Sequence, residues 1–332
     1  MASDLLAELS SLPQGAMQVR PNNAAIILAG GDGMRLLPLT RYIAGRPIPK
    51  QFCCVTSGRT LLEDTIHRVH QVVPLDRIVV VVNRSHGEFY QPLLGDLQRS
   101  QIVLQPSNRG TAAAILYGLE RLAKIAADAS VTIFPADHFV GHDARFMTHV
   151  AFALDTIAEF PELAVILGMA PASAETSYGW IEPAAPVSPA KPPVFRVRRF
   201  WEKPELEMAR TLWRQGCLWN SFVIAANPSV LRGMIAEHAP RLSAAFKQAS
   251  ASLASIEEET AAEALYAKLE SVGFSEQILS RCPPNLAVQR VDDVKWSDLG
   301  EPNRVLDVLS SSRYRPAWVD SFERERTPER RQ

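Results

Sequence analysis

The sequence carries almost no net charge: Lys and Arg total 35 and Asp and Glu total 36 in 332 residues, leaving −1. Such a balance gives no electrostatic footprint for nucleic acid or an anionic membrane, so neither is expected as a partner, and any phosphate chemistry must rest on local positive charge. Long apolar runs are missing too; none approaches the roughly 20 residues of a membrane span. The opening MASDLLAELSSLPQGAMQVR lacks the basic start and apolar centre of a secretory signal, and the chain reads as cytoplasmic. Cysteine is scarce: Cys53, Cys54, Cys217 and Cys282 include an adjacent pair but no CxxC. Neither a disulfide framework nor a zinc site is indicated, and reduced, partly buried thiols are expected. No hexapeptide periodicity announces an appended β-helix. What remains is ordinary globular composition, 47% hydrophobic and 21% charged, with ample apolar material for a large core.

From residue 24 to about 170, short β-branched runs alternate with amphipathic segments. AAIILAG (24–30), RIVVVVN (77–83), QIVLQP (101–106), VTIFPAD (131–137) and LAVILGM (163–169) read as buried strands, with helical patterns at 61–73, 111–129 and 144–160. Near-continuous apolar strands separated by helices predict an α/β fold with a mainly parallel sheet covered on both faces. Such sheets bind ligands beyond the carboxyl ends of their strands. Later, PAAPVSPAKPP (183–193) predicts a surface loop, because its prolines remove donors and fix the backbone. FRVRRFWEKP, SFVIAA and LAVQRVD read as strands, and a broken helical stretch runs from Pro228 to about Val272. The organisation expected is an N-terminal extension (1–23), one domain (24–309) and a mobile tail (310–332) rich in Arg, Glu and Ser.

The first strand runs into Gly30-Gly31-Asp32-Gly33-Met34-Arg35. Glycines at a strand end let the backbone approach a phosphate, and successive N–H groups form an anion-binding nest. Alone, such a turn reads as readily as a tight entry into a helix. Two familiar phosphate loops do not apply: there is no GxxxxGK[ST], and GxGxxG lacks its third glycine, Leu36 standing there. A dinucleotide fold also wants an acidic residue about 20 positions onward to hold a ribose; Pro49-Lys50-Gln51 stands there instead, which opposes a nicotinamide oxidoreductase.

LAGGDGMRLLPLT followed by PKQF is far more specific than either piece, and the chain resembles the sugar nucleotidyltransferases, most closely the mannose-1-phosphate guanylyltransferases with LAGGxGTRLxPLS and PKQF. The resemblance continues through QPSNRGTAAAI, FPADH, YGWIEP, FWEKP, WNSF and WSDLG, in the family's order, over roughly residues 24–307. It implies a Rossmann-like, GT-A-like nucleotidyltransferase fold with a mainly parallel mixed sheet flanked by helices. It further implies magnesium-dependent joining of GTP to mannose 1-phosphate, giving GDP-mannose and pyrophosphate, with another hexose 1-phosphate or another base as the alternative. Against long bifunctional relatives, the chain has no room for an added isomerase domain of about 100 residues or more. Homo-oligomerisation stays open.

By resemblance, Arg35 faces the triphosphate and the departing pyrophosphate, and Lys50 adds a second cation. Asp137 and Asp298 hold the metal, which is chemically adequate because magnesium takes one or two carboxylates plus phosphate oxygens and water. Lys203 contacts the sugar phosphate, while Gly179, Glu182 and Asn220 frame the sugar. The nucleotide falls to Leu28, Ala29, Gly30, Gly31 and Gly33 and to the loop Gln105, Pro106, Arg109, Gly110 and Thr111. In that loop, Gly110 is expected to clear room for the base, and the bland reading is a βα turn with Thr111 as N-cap. His138 and His142 have no third His or Cys at zinc-ligand spacing. The chain departs from the family at Met34 for threonine, at the longer RYIAGRPI link, at NRGTAAA, and at WNSF, which lacks the glycine and methionine that often follow WNS. None of these removes a charged group the reaction needs. A catalytically silent, nucleotide-sugar-binding relative would be expected to have lost Arg35, Lys50, Asp137 or Asp298, and all four are present.

Overall fold

The fold is taken from a computed structural model that describes residues 19–188, 192–253, 255–310 and 315–326. The apolar runs become strands. The first four are β1 (Asn23–Ala29), β2 (Ile78–Asn83), β3 (Ile102–Gln105) and β4 (Ser130–Pro135). They are followed by β5 (Phe139–Val140), β6 (Ala164–Met169), β7 (Gly179–Ser188), β8 (Val194–Glu202), β9 (Leu218–Ala226), β10 (Leu286–Val291) and β11 (Trp296–Ser297). Nine of them make one mixed sheet in the order β3-β2-β1-β4-β9-β6-β10-β8-β7, and β7 also folds back to pair with β9. The stretch β3-β2-β1-β4 is parallel throughout, so all four strands end at the same edge. β9 inserts antiparallel between β4 and β6, and β8 pairs antiparallel with both β10 and β7, so the sheet is mixed.

Helices fill the connections as parallel pairing demands: α1 (Leu37–Ala44), α2 (Leu61–His70), α3 (Gly110–Ile125) and α4 (Asp143–Glu159), then α5 (Leu206–Arg214), α6 (Pro228–His238), α7 (Pro240–Leu253), α8 (Glu258–Tyr266), α9 (Pro302–Ser310) and α10 (Ala317–Arg326). Because side chains alternate along β1, Ala25 and Ile27 pack with residues of α2 and α4 on one face. Ala24 and Ile26 pack with α3 and with α6 to α8 on the other. The start of α2 is fixed locally by a capping box, Thr60 accepting from the Glu63 N–H while the Glu63 carboxylate accepts from the Thr60 N–H. A separate two-stranded ladder sets the site: β11 pairs antiparallel with β5 in the register Trp296↔Val140 and Ser297↔Phe139. This ladder brings Asp298 back beside Asp137, which lies two residues past β4.

Two expectations need correction. Residues 183–188 are strand rather than surface loop; they pair with β8 through shifts of register on either side of Pro183 and of Pro186. The shifts accommodate residues without a ladder donor, and β7 stands at the end of the strand order, where proline is tolerated. The remainder of that expected loop, 189–191, lies outside the described residues. The tail is also structured in part: α10 packs through Val319, Trp318 and Phe322 on Leu39 and Val305 of a small third cluster, with Phe322 edge-on to Tyr42 at 5.2 Å between ring centroids. Its apolar residues recur at helical spacing among the charges, which lets it bury one face. Among the described residues, no helix is long and apolar enough to cross a membrane.

All four cysteines carry free thiols. Burial pushes all four thiols up, Cys53 to about 12 and Cys217 to about 11; Cys54 is nonetheless exposed and Cys282 half-buried, its sulfur accepting from the Phe200 N–H at 3.0 Å. Thiolate is the reacting species. Labelling with a chromogenic disulfide at pH 8 is therefore expected to modify Cys54 quickly and Cys282 more slowly. Cys53 and Cys217 should react only as the protein unfolds. Fast modification of Cys53 or Cys217, located by mass spectrometry, would contradict this packing.

Candidate active site

At the shared carboxyl edge of β1, β3 and β4 lies a cavity of about 540 Å³. Its wall includes Leu28, Gly30 and Gly31 from the first strand and turn, Gln105, Gly110 and Thr111 after β3, and Asp137 after β4. Gly179, Asn220 and Asp298 complete the expected residues that line it. Ala29, Gly33, Arg35, Lys50, Pro106, Arg109, Glu182 and Lys203 do not line the cavity.

The glycine turn is held from behind by a residue that motif reading passes over. The Gln51 amide donates to the carbonyls of Ala29 and Gly31, at 2.9 and 2.7 Å. This explains why PKQF accompanies the glycines: its glutamine fixes the loop while its lysine enters the site. Gly33 adopts φ 59, and a Cβ there would stand 3.0 Å from the Lys50 amide nitrogen. Both facts favour glycine.

Lys50 is buried and links the two expected metal-site aspartates, through the carboxylate of one and the backbone carbonyl of the other. Its Nζ lies 3.1 Å from Asp137 Oδ2 and donates to the Asp298 carbonyl. Asp298 Oδ1 accepts from the Gly300 N–H at 2.8 Å and from Arg304 at 2.7 Å, while Oδ2 faces the exposed Arg35 guanidinium at 3.9 Å. Burial works against the Asp298 carboxylate, but the Lys50 ammonium, with His138 and Arg304, outweighs it and holds the group below the ordinary carboxylate value. Asp298 is thus an anion at neutral pH.

On the nucleotide side, Gln105 is buried and its Oε1 accepts from the Tyr266 hydroxyl at 3.1 Å. Arg109 turns away, its Nε donating to the Tyr266 carbonyl at 3.0 Å. Gly110 has φ 81, and a Cβ there would lie 2.3 Å from the Val272 carbonyl oxygen. The glycine is therefore demanded by the Val272 backbone, whose N–H donates to the Arg109 carbonyl and whose carbonyl accepts from the Ala112 N–H, a stronger constraint than room for a base. Thr111 does not cap its helix; α3 begins at Gly110, and Thr111 Oγ1 instead accepts from the Phe274 N–H at 2.8 Å.

On the other side, Asn220 Oδ1 accepts from the Phe222 N–H at 2.9 Å, and its Nδ2 lies 3.4 Å from Ser275 Oγ. Glu182 is taken by Arg198 at 3.2 Å. Lys203, at φ 46, places Nζ 3.1 Å from Glu202 and 3.9 Å from Glu276. Trp180 and Trp219 are core residues, and Tyr178 reaches the cavity instead, edge-on to Trp219 at 4.9 Å. His138 lies against Trp296, and His142 caps α4. The segment 271–276 supplies Ser271, Gly273, Ser275 and Glu276 to the wall. In the sequence it falls at the fading end of a helical stretch and offers no periodicity or motif; only its small residues hint at a close approach.

The described wall carries four carboxylates, Asp137, Glu202, Glu276 and Asp298, and no lysine or arginine; Arg35, Lys50 and Lys203 pair with carboxylates of this wall. A divalent cation fits these residues. Asp137 and Asp298 flank one ammonium, and Asp298 Oδ2 is the oxygen left by Gly300 and Arg304. Among the described residues no three His, Cys, Asp or Glu side chains converge as a metal cage. A cation between the two aspartates would complete its shell with phosphate oxygens and water, as magnesium does.

Residues 24–313 match the nucleotidyl transferase family. The chain belongs to that family. A mannose-1-phosphate guanylyltransferase of Sinorhizobium fredii is 30% identical over 301 residues, covering 87% of this chain and 56% of the relative. One of Salmonella montevideo is 34% identical over 202 residues, 59% of this chain and 41% of the relative. The crystal structure of a Thermus thermophilus protein described as a mannose-1-phosphate geranyltransferase is 30% identical with a TM-score of 0.75, over 88% of this chain and 80% of that one. This nucleotidyl transferase spans about half the length of the curated relatives it matches.

Gly110→Ala is expected to cost about 1–2 kcal/mol from the left-handed backbone alone, and more from the encounter with Val272. Urea unfolding would register the loss. An unchanged midpoint would show that the 271–276 segment is not held as described.

Proposed function

We infer that the protein transfers a nucleotidyl group from a nucleoside triphosphate to a sugar 1-phosphate, releasing pyrophosphate. GTP and mannose 1-phosphate are the preferred pair, GDP-mannose is the product, and magnesium is the cofactor. The observation that carries this reading is the convergence of the glycine turn, Lys50, Asp137 and Asp298 at a cavity whose wall carries four carboxylates and no lysine or arginine. Such a wall repels a triphosphate unless cations enter with it.

In the transfer, an oxygen of the sugar phosphate attacks the α-phosphorus, and the bond from that phosphorus to the bridging oxygen of the β-phosphate breaks. Magnesium, when bound, neutralises phosphate charge and aligns the reacting oxygens. The chain supplies position and further charge. Backbone N–H groups of the glycine turn meet the triphosphate, Arg35 stands over the departing pyrophosphate, and Lys50 ties the Asp137 carboxylate to the backbone of Asp298. Lys203 meets the sugar phosphate from the far rim, with Asn220 and Gly179 beside the sugar. Gln105 and the following loop face the base. Guanine presents an O6 acceptor beside N1–H and amino donors, so amide and backbone groups distinguish it from adenine by leaving buried groups unpaired in the wrong complex.

Arg35→Ala is expected to lower turnover by about 100- to 1,000-fold with little change in sugar-phosphate binding. Lys203→Ala should chiefly raise the KM for the sugar phosphate. Steady-state kinetics on both variants tests the division, and interchanged signatures would overturn it.

Base choice should be stricter than sugar choice, because hydrogen-bonded sites discriminate by roughly 10,000-fold and apolar contacts by far less. Competition among GTP, ATP, UTP and dTTP, with mannose and glucose 1-phosphates as acceptors and pyrophosphate as the readout, measures both. A consistent preference for UTP or dTTP would overturn the guanylyl assignment and leave nucleotidyl transfer standing. No pyrophosphate from any pair would overturn the transfer itself.

A further inference from the structure

Asp298 is gripped on one side only. Its Oδ1 receives the Gly300 N–H at 2.8 Å and Arg304 Nη1 at 2.7 Å, whereas Oδ2 has Arg35 at 3.9 Å. Arg304 rises from the first turn of α9 and is itself fixed at three points. Its second arm, Nη2, donates to Glu175 Oε2 at 2.7 Å, and its guanidinium lies 4.3 Å from the centroid of the Tyr178 ring. Its side chain is only 12% exposed. Glu175 is anchored in turn, its carbonyl accepting from the Trp180 indole N–H at 2.7 Å. Arg304 thus ties the segment before β7, which carries Tyr178 and Gly179 into the cavity, to the loop that carries Asp298.

We propose that Arg304 is a positioning residue for Asp298: it occupies Oδ1 and thereby turns Oδ2 toward the space where Asp137 and the substrate phosphates share a divalent cation. The proposal rests on the metal site of the functional reading. A planar guanidinium with two arms fixes both the orientation and the charge of a carboxylate, which a lysine at the same place does not. Arg304 lies outside the motifs that identify the family, so motif reading has no means of finding it.

The alternative is an ion pair that only holds α9 in place, and the two roles separate on metal affinity. Binding of Mn²⁺ to the purified protein in excess over GTP and without sugar phosphate, followed by electron paramagnetic resonance of the free ion against a protein-free GTP control, reads the site without turnover. Removing a group that orients a metal ligand commonly weakens metal binding by about 10- to 100-fold. Arg304→Ala is expected to fall in that range, with Arg304→Lys intermediate and metal-free GTP binding unchanged. Glu175→Ala, which releases one arm and leaves Arg304 in place, should weaken Mn²⁺ binding in the same direction by less, and it carries the test if Arg304→Ala does not fold. Mn²⁺ affinity unchanged in Arg304→Ala, or in Glu175→Ala where the former is unfolded, would overturn the proposal. So would a wild-type protein that does not bind Mn²⁺ with GTP. Tight Mn²⁺ binding without pyrophosphate release would overturn nucleotidyl transfer alone and leave the Arg304 comparison intact.

Discussion

The site depends on one ammonium group. Lys50 stands between Asp137, past the end of β4, and Asp298, which belongs to a loop 248 residues away in sequence from the lysine. Two carboxylates held close together and withdrawn from water are costly unless a cation is beside them. Lys50 meets that requirement for both at once. Its own backbone also lies against Gly33, so the same residue sets the depth of the glycine turn. The β5–β11 ladder, the turn and the end of β4 are therefore one mechanical unit, and its dimensions follow from the reach of a single side chain.

That unit divides the cavity by charge. At its end, cations and carboxylates are interleaved: Arg35, Lys50 and Arg304 against Asp137 and Asp298. Elsewhere on the wall, Glu202 and Glu276 share the exposed Lys203. An exposed pair such as Lys203–Glu202 is weakly held, so the lysine can leave its carboxylates for a phosphate at little cost. Lys50, buried and bound to two groups, cannot. Within the proposed reaction, this contrast suits Lys50 to organising the site and Lys203 to receiving a substrate.

The central sheet is legible in the sequence because its strands are buried on both faces and read as unbroken apolar runs; β2, IVVVVN, is buried at every position. The glycine turn, Asp137 and Asp298 are legible because short motifs carry them. What escapes reading is whatever depends on a partner far along the chain. Nothing in SVGFSE announces that its backbone docks on Gly110 and Thr111, and nothing in PNRVLDVLS announces that its arginine reaches Glu175. Proline misleads in the other direction. Its missing donor excludes a regular central strand, but β7 lies at the end of the sheet and takes up its prolines with shifts of register.

The departures from the family's pattern fall where they leave the charged groups intact. Met34, in place of threonine, points into solvent, 68% exposed. Phe222 follows Trp219-Asn220-Ser221, where the family often has glycine, and it retains a left-handed backbone, φ 60. A side chain held in that conformation costs of order 1–3 kcal/mol and persists only where its surroundings fix it. Here Asn220 accepts from the Phe222 N–H, the ring packs edge-on against Phe274 at 6.1 Å between centroids, and the residue lines the cavity. An aromatic ring thus stands on a backbone shape suited to glycine.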